Sequence, residues 1–208
     1  AFHVMVRFGQ WHAILDAPAF PPEATVANAV RHYARGVAQT ALAQYAEARG
    51  ELAVFDSSLA ALDERYIGNN PARMVLRVPR GLLAGELAFA QGDRDAGLAN
   101  AAAAVATEDS LVYDEPPDWM MPARHSYGAM LLEAQRWQDA ERAFREDLAM
   151  YPENGWSLFG LTRALRGQGR ESEARRAESR CKKAWRRSDT AIHAPCLCQP
   201  GTGPKVAQ

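Results

Sequence analysis

Apolar residues recur every three or four positions along most of the chain, the spacing that places them on one face of an α-helix. Glycine and proline interrupt this pattern at intervals, and the strict alternation of β-strands is nearly absent. Short turns at 91–93 and 167–170 are typical of antiparallel helix pairs. The predicted helices are 24–42, 45–61, 72–91, 94–107, 120–134, 137–150, 155–168 and 171–186. The pattern therefore predicts an all-α fold.

Polar residues just before these helices predict how they begin. Asn70 precedes Pro71, which places a side-chain acceptor at a helix cap and a proline in the first turn. Asp118 is predicted to cap the helix that follows it, and Asn154 the helix after Pro152. We read Pro152 as the stop that turns the chain into a new unit, anchored by Trp156.

The same small and large residues return after 34 positions in the C-terminal half. Ala140 corresponds to Ala174, and Gln135 corresponds to Gly169. Gly128 and Ala140 form the expected close approach of two helices, with Phe144 as the wedge against the next unit. These residues resemble the tetratricopeptide repeat (TPR), a family of helix–turn–helix units about 34 residues long. The chain is also similar to uncharacterised bacterial proteins with such repeats, which share "YDEPPDW" and "PENGWSLFGL".

The resemblance implies a right-handed α-α superhelix, a solenoid of antiparallel TPR-like helix hairpins. The four predicted segments are the end of an upstream repeat at 1–16, two degenerate hairpins with long loops at 17–118, two well-matched hairpins at 119–187, and a disordered Pro/Gly-rich tail with a Cys pair at 188–208. Each hairpin has an apolar stripe too broad to cover alone, so neighbours must stack to share a core.

Composition and charge narrow the function classes. The 208 residues are 48% hydrophobic and 24% charged, with a formal net charge of -1, which is ordinary for a water-soluble protein and gives no overall attraction to nucleic acid or acidic lipid. No apolar run is long enough to span a bilayer, so no membrane partner is expected. The chain begins without Met, and we expect a piece of a longer protein, in the cytoplasm unless a leader lies upstream.

In a solenoid of this kind, the first helix of each hairpin lines an inner groove. The predicted groove residues are Tyr33, Val37, Leu82, Glu86, His125, Ser126, Ala129, Trp156, Phe159 and Arg163. This mixture of aromatic, apolar and lightly charged side chains fits a partner's helix or extended peptide. We therefore expect a non-enzymatic protein–protein interaction scaffold without a cofactor, whose partner the sequence does not identify. Groove filling by another copy, which makes a homo-oligomer, or by upstream repeats is left open.

The alternative function is a metal-binding or redox-responsive protein that uses the C-terminal Cys-x-Cys tail. His193, Cys196 and Cys198 are three soft ligands in one short segment, a set that suits zinc or copper. A fourth metal ligand is missing unless the tail folds back on the helix that contains Cys181. We therefore disfavour the metal-binding function. The acidic loop with Asp114, Glu115 and Asp118 ahead of His125 matches no calcium-loop spacing; we read it as an acidic rim for a basic partner.

Two further features have ordinary structural explanations. The basic helix that contains Trp185 suits a phosphate backbone, but a polar terminal helix is also what ends a solenoid, so nucleic acid is disfavoured. We assign His32 to the core. No catalytic triad order, phosphate-binding glycine loop or zinc-protease helix occurs, so no enzyme activity is expected.

Overall fold

A computed structural model of the chain describes residues 1–196. Within that range the chain forms α1 (Phe2–Arg7), α2 (Trp11–Asp16), α3 (Thr25–Ala41), α4 (Tyr45–Ala60), β1 (Tyr66–Ile67), β2 (Asn70–Pro71), α5 (Ala72–Ala90), α6 (Arg94–Asp109), α7 (Ala123–Glu133), α8 (Trp137–Met150), α9 (Gly155–Gly167) and α10 (Glu171–Trp185). The all-α prediction is confirmed, because the two strands are only a two-residue antiparallel pair between α4 and α5. All eight predicted helices are present as α3 to α10.

The same three-residue turn joins both helices of every pair. Its middle residue has a positive φ of 57° to 97° and is Gly9, Ala43, Gly92, Gln135 or Gly169. The amide after the middle residue donates to the carbonyl five residues earlier over 2.8 to 3.0 Å in all five turns. The middle amide donates to the carbonyl three residues earlier. This is the Schellman motif, which satisfies the free carbonyls at a helix end. The turn shows that α1 and α2 form a hairpin like the other four.

The hairpins stack in chain order. The first helices α3, α5, α7 and α9 contact one another in sequence, and each second helix contacts the first helix of the following hairpin. The α1–α2 hairpin packs on α3. Each hairpin thereby covers the apolar stripe of its neighbour. The handedness of the stack and its membership of the repeat family stay predictions at this point.

Phe144 fills the space between two consecutive hairpins, as predicted for a wedge. Its ring is fully buried, and a Cβ added at Gly128 would lie 2.4 Å from Cζ of Phe144. A Cβ at Gly160, on the next hairpin, would lie 2.2 Å from the same atom. Ala140 is also fully buried, but the closest neighbour of Gly128 is the Phe144 ring. Glycine is needed here because the aromatic ring touches both helix backbones.

One of the three predicted helix caps is confirmed. The side chain of Asn154 accepts from the amide of Ser157 over 2.9 Å at the start of α9. Asn70 instead binds the backbone of Val112, with 2.7 Å to its carbonyl and 2.8 Å to its amide, and its amide group also donates to Asp118 over 2.6 Å. The predicted caps at Asn70 and Asp118 are wrong because both side chains join the two long loops. The amide of Ala123, which begins α7, donates to Glu108 over 2.8 Å.

The segment after α10 returns to the stack. Nε1 of Trp185 donates to the carbonyl of Thr190 over 2.5 Å, and Ala194, Pro195 and Cys196 are buried. The last three of these residues are therefore packed against the rest of the described chain, and the predicted disorder of the tail stays a prediction. The rest of the predicted tail, 197–208, lies outside the described residues. None of the helices within 1–196 combines the length and apolarity required to cross a membrane.

Candidate functional site

The structure buries most of the predicted groove. Of the ten residues, seven are at most 6% exposed: Tyr33, Val37, Leu82, Glu86, His125, Ser126 and Ala129. Val37 and Leu82 belong to the apolar core, and His125 and Ser126 contact Arg7 and Cys196, near the two ends of the described residues. Trp156 and Phe159 are half-buried, and Arg163 is exposed. The open groove predicted at these positions is thus replaced by a covered one, except at its C-terminal end.

The first helix of the described chain, α1, covers the middle of the predicted groove. Phe2 and Val6 of α1 are buried in the same apolar cluster as Tyr33 and Ala129. Arg7 reaches furthest: its guanidinium carbon lies 4.7 Å from the ring centre of Trp156, a cation–π contact. Phe8 meets the same ring edge-to-face, with 6.2 Å between ring centres. α1 therefore bridges the surface from α3 to α9.

A chain of hydrogen bonds connects α1 to the interior of the stack. Nη1 of Arg7 lies 2.8 Å from Nδ1 of His125, and Nε2 of His125 lies 3.0 Å from Oδ2 of Asp147. Because an arginine nitrogen only donates, Nδ1 accepts and Nε2 donates to the carboxylate. Oδ2 of Asp147 also accepts from Ser157 over 2.5 Å and from Asn154 over 2.9 Å. Three helices, α7, α8 and α9, thus meet at one buried carboxylate, and α1 joins them through His125.

Burial and hydrogen bonding set the charges in this chain. Burial lowers the pKa of His125, and its bond to Asp147 does not reverse that, so the ring is neutral at neutral pH. Burial acts to raise the pKa of Asp147, but bonds from His125, Ser157 and Asn154 outweigh it and hold the pKa below its usual value. Burial lowers the pKa of Arg7 to about 10, which leaves the guanidinium charged. The Arg7 to Asp147 arrangement is therefore an ion pair relayed by a neutral imidazole.

This geometry does not form a base and nucleophile pair. Both nitrogens of His125 are engaged, one by Arg7 and one by Asp147, and the hydroxyl of Ser157 bonds to Asp147 rather than to the imidazole. A general base for a serine nucleophile would need a free ring nitrogen within hydrogen-bond reach of the hydroxyl. The arrangement suits fixing helices in place better than catalysis.

Glu86 is a buried acid close to this chain of bonds. It is 2% exposed, and burial raises the pKa of its carboxyl to about 8, although the neighbouring Ser126 hydroxyl acts to lower it. Oγ of Ser126 also lies 3.3 Å from Sγ of Cys196, so the returning segment covers this part of the groove. At neutral pH the Glu86 carboxyl is mainly protonated, which removes the cost of burying a charge.

Within residues 1–196, the C-terminal end of the predicted groove stays open. There a cleft of about 610 Å³ lies between α9, α10 and the returning segment. We call it the C-terminal cleft; it is lined by Trp137, Phe159, Thr162, Arg163, Arg166, Gly167, Glu178, Cys181, Lys182, Trp185 and Ile192. A smaller cavity of about 290 Å³ shares Trp137 and Arg163 with it and is closed on one side by Ala194 and Pro195. The predicted groove residues Phe159 and Arg163 thus belong to an accessible site.

Two tryptophans that are not among the predicted groove residues form the ends of this cleft. Trp185 lies over Gly155, where an added Cβ would be 2.4 Å from its ring, and it meets Trp156 edge-to-face. Trp137 lies over Gly167, where an added Cβ would be 2.3 Å from its ring. The available signal was a glycine at both ends of α9, because a residue without a side chain leaves room for a neighbouring ring to lie on the helix backbone.

The acidic loop is used inside the chain. Asp114 accepts from the amide of Asn69 over 3.1 Å, and Asp118 accepts from Asn70. His125 is not part of this cluster, because it is bonded to Arg7 and Asp147. The loop does border a cavity of about 310 Å³ that includes Glu115. Asp114 and Asp118 of the predicted acidic rim are therefore already engaged in hydrogen bonds to the other long loop.

The metal candidates are not brought together. His193 is exposed, Cys196 is buried against Ser126, and Cys198 lies outside the described residues. Across residues 1–196, no three His, Cys, Asp or Glu side chains are grouped so that they could hold a metal ion. Cys181 donates weakly to the carbonyl of Gly155 over 3.5 Å. The described part of the chain gives the metal reading no support.

Two further sequence predictions have definite outcomes. His32 is half-buried and its Nδ1 lies 2.6 Å from the carboxylate of Glu51, so it is an ion-pair or hydrogen-bond partner and not a purely apolar core residue. Trp185 packs against Trp156 of α9, so it has the structural role that a terminal helix of a stack gives such a residue. The basic residues of α10 are largely exposed and several pair with acids, for example Lys182 with Glu178 over 3.4 Å.

The comparisons with known proteins leave the family open. No protein-family model matches the chain, and no match was found among curated proteins or solved structures.

Proposed function

We propose that this chain is a non-enzymatic interaction module, a TPR-like right-handed solenoid that binds a helix or extended peptide of a partner protein along its inner groove. The five equal turns, the 34-residue spacing and the order of stacking support the repeat architecture. The proposed location in the cytoplasm rests on the sequence alone.

One observation carries the proposal: the groove already holds a helix. α1 places Phe2 and Val6 among groove side chains, and it anchors Arg7 on His125 and Trp156. These contacts use an apolar face plus one cation, which is a common arrangement when an amphipathic helix lies in a groove. We infer that α1 occupies the site that a partner helix takes in trans.

The stack favours such binding because its groove is organised before a ligand arrives. Asp147 ties α7, α8 and the start of α9 together through His125, Ser157 and Asn154. A rigid surface loses little further entropy on association, so more of the contact energy remains as affinity. A partner must compete with α1, which has the advantage of high effective concentration because it is covalently linked.

The test is to supply α1 in trans. A chain without residues 1–10 is first checked for retained helicity by circular dichroism. It is then titrated with a labelled peptide of residues 1–10 while fluorescence anisotropy is recorded. We expect saturable binding that Arg7→Glu in the peptide weakens by at least about tenfold, since hydrogen bonds to charged groups contribute roughly 1.5–3 kcal/mol. The matched control is Val4→Glu, because Val4 is 56% exposed and turned away from the groove.

A second variant pair tests the receptor side. Trp156→Ala removes the ring under Arg7, whereas Arg142→Ala removes an exposed side chain on α8 that pairs with Asp139. The peptide should bind less tightly to the first variant and unchanged to the second. The groove assignment would be refuted if the truncated chain is folded but does not bind the peptide. It would also be refuted if that chain binds the Arg7→Glu and Val4→Glu peptides with equal affinity.

A further inference from the structure

The C-terminal cleft has the size and lining of a small-molecule site. Its volume of about 610 Å³ lies within the roughly 300–1,000 Å³ typical of ligand pockets. Trp137, Phe159 and Trp185 provide aromatic surface, and the buried Cys181 and Thr162 lie on α10 and α9. The returning segment adds Ile192 as a further wall. An apolar body is therefore the part of a ligand that this cleft would bury.

The charge around the cleft is positive. Arg163, Arg166 and Lys182 border it, and Glu178 is the one acid among the residues of 1–196 that line it. Glu178 is already shared, at 2.7 Å from Arg166 and 3.4 Å from Lys182. Among the described residues Arg163 makes no ion pair. A guanidinium beside aromatic walls is thus available for a negatively charged headgroup.

The cleft is long relative to its volume. Trp185 and Trp137 lie over Gly155 and Gly167, which are about 18 Å apart along α9 at 1.5 Å per residue. An extended, unbranched chain that follows α9 suits this shape. Arg163 lines both this cleft and the adjoining smaller cavity.

We propose that the C-terminal cleft binds a free amphipathic monoanion, a carboxylate with an unbranched apolar chain, whose headgroup meets Arg163 and whose chain lies along Phe159 between Trp137 and Trp185. This cleft lies beyond the part of the predicted groove that α1 covers, and neither His125 nor Trp156, the two residues that bind Arg7, lines it. The two proposals can therefore fail independently.

The experiment uses the full chain and sodium decanoate as the probe, at concentrations below micelle formation. Isothermal titration calorimetry should show one site per chain, and decanoate methylene protons should give nuclear Overhauser contacts to the indoles of Trp137 and Trp185. Arg163→Gln should weaken binding about tenfold, the lower range expected for a charged hydrogen bond at an exposed position. Phe159→Ala should also weaken it, and Arg142→Gln, an exposed cation outside the cleft, should leave it unchanged.

Matched probes distinguish the headgroup and the source of the ligand. Decanol and decyltrimethylammonium share the chain but lack the negative charge, and both should bind at least about tenfold more weakly than decanoate. Equal binding of decanol, equal affinity of the Arg163→Gln and Arg142→Gln variants, or many decanoate molecules per chain would overturn the proposal. So would binding of anionic phospholipid vesicles or of an acidic helical peptide without binding of decanoate. Circular dichroism of each variant confirms that the helices remain.

Discussion

A single substitution at the turn between α9 and α10 tests the link between the five turns and stability. Gly169 has a φ of +73°, and an added Cβ would meet nothing within 4 Å. Gly169→Ala therefore introduces no clash, and only the backbone conformation opposes it. An L-residue in the left-handed region costs about 1–2 kcal/mol, and the smaller entropy of the unfolded chain returns about 0.4–1 kcal/mol. The expected net loss of unfolding free energy is about 1 kcal/mol.

The chain provides two matched comparisons for this substitution. Gly50 lies within α4, is exposed, and also has open space around its added Cβ. Gly50→Ala should therefore stabilise by about 1 kcal/mol, because alanine is favoured over glycine inside a helix. Gln135 occupies the equivalent turn position with a φ of +57°, so Gln135→Gly should also stabilise, by up to about 1 kcal/mol.

The assay is thermal unfolding followed by helical circular dichroism. For a chain of this size, 1 kcal/mol corresponds to a change of about 2–4 °C in the unfolding midpoint. We expect the midpoint to fall for Gly169→Ala and to rise for Gly50→Ala and Gln135→Gly. If Gly169→Ala and Gly50→Ala shift the midpoint in the same direction, the turn does not constrain the backbone as the structure indicates.

Two further predictions concern the buried polar groups. Asp147→Ala should lower the unfolding free energy, measured by urea denaturation, by about 3 kcal/mol. The substitution leaves the donors of His125, Ser157 and Asn154 without their buried acceptor. A loss below about 1 kcal/mol would contradict the shared role of this carboxylate. Glu86 has its pKa raised from the ordinary 4.5 to about 8, so the folded chain holds this proton more tightly than the unfolded chain does. The contribution of this proton to the unfolding free energy is complete below about pH 4.5 and is lost as pH rises through 8. The loss of unfolding free energy between pH 6 and 9 is about 2–3 kcal/mol. Glu86→Gln should remove that part of the pH dependence, and an unchanged slope would show that another group titrates.

Local sequence patterns predicted the helices closely. The ends of α8 agree with the prediction at both residues, and α4 and α9 differ by one residue at their C-terminal ends. Asn154 caps α9 as expected, because a cap needs only a side chain two or three residues from the amide that it binds. The wedge role of Phe144 also followed from the repeat spacing, since equivalent positions in stacked units meet equivalent neighbours.

Contacts between distant parts of the chain were harder to predict. Asn70 has a typical cap sequence, but its amide binds Val112 and Asp118 more than forty residues away. The role of Arg7 was missed for the same reason, since its partner His125 is 118 residues distant. A single sequence carries no signal for which of many long-range polar pairs will form.

The amino-acid sequence by itself determined the helices, the small residues at their crossings and the stacking of incomplete hairpins, because periodicity, turns and glycine spacing act over a few residues to one repeat. Only the tertiary structure decided that α1 and the segment up to Cys196 cover residues of the predicted groove, and that among residues 1–196 a cleft stays open between Trp137 and Trp185. The physical reason is that any apolar face must be covered, but many segments of similar hydrophobicity can cover it. The choice among them depends on shape and on single buried bonds such as that of Arg7 to His125.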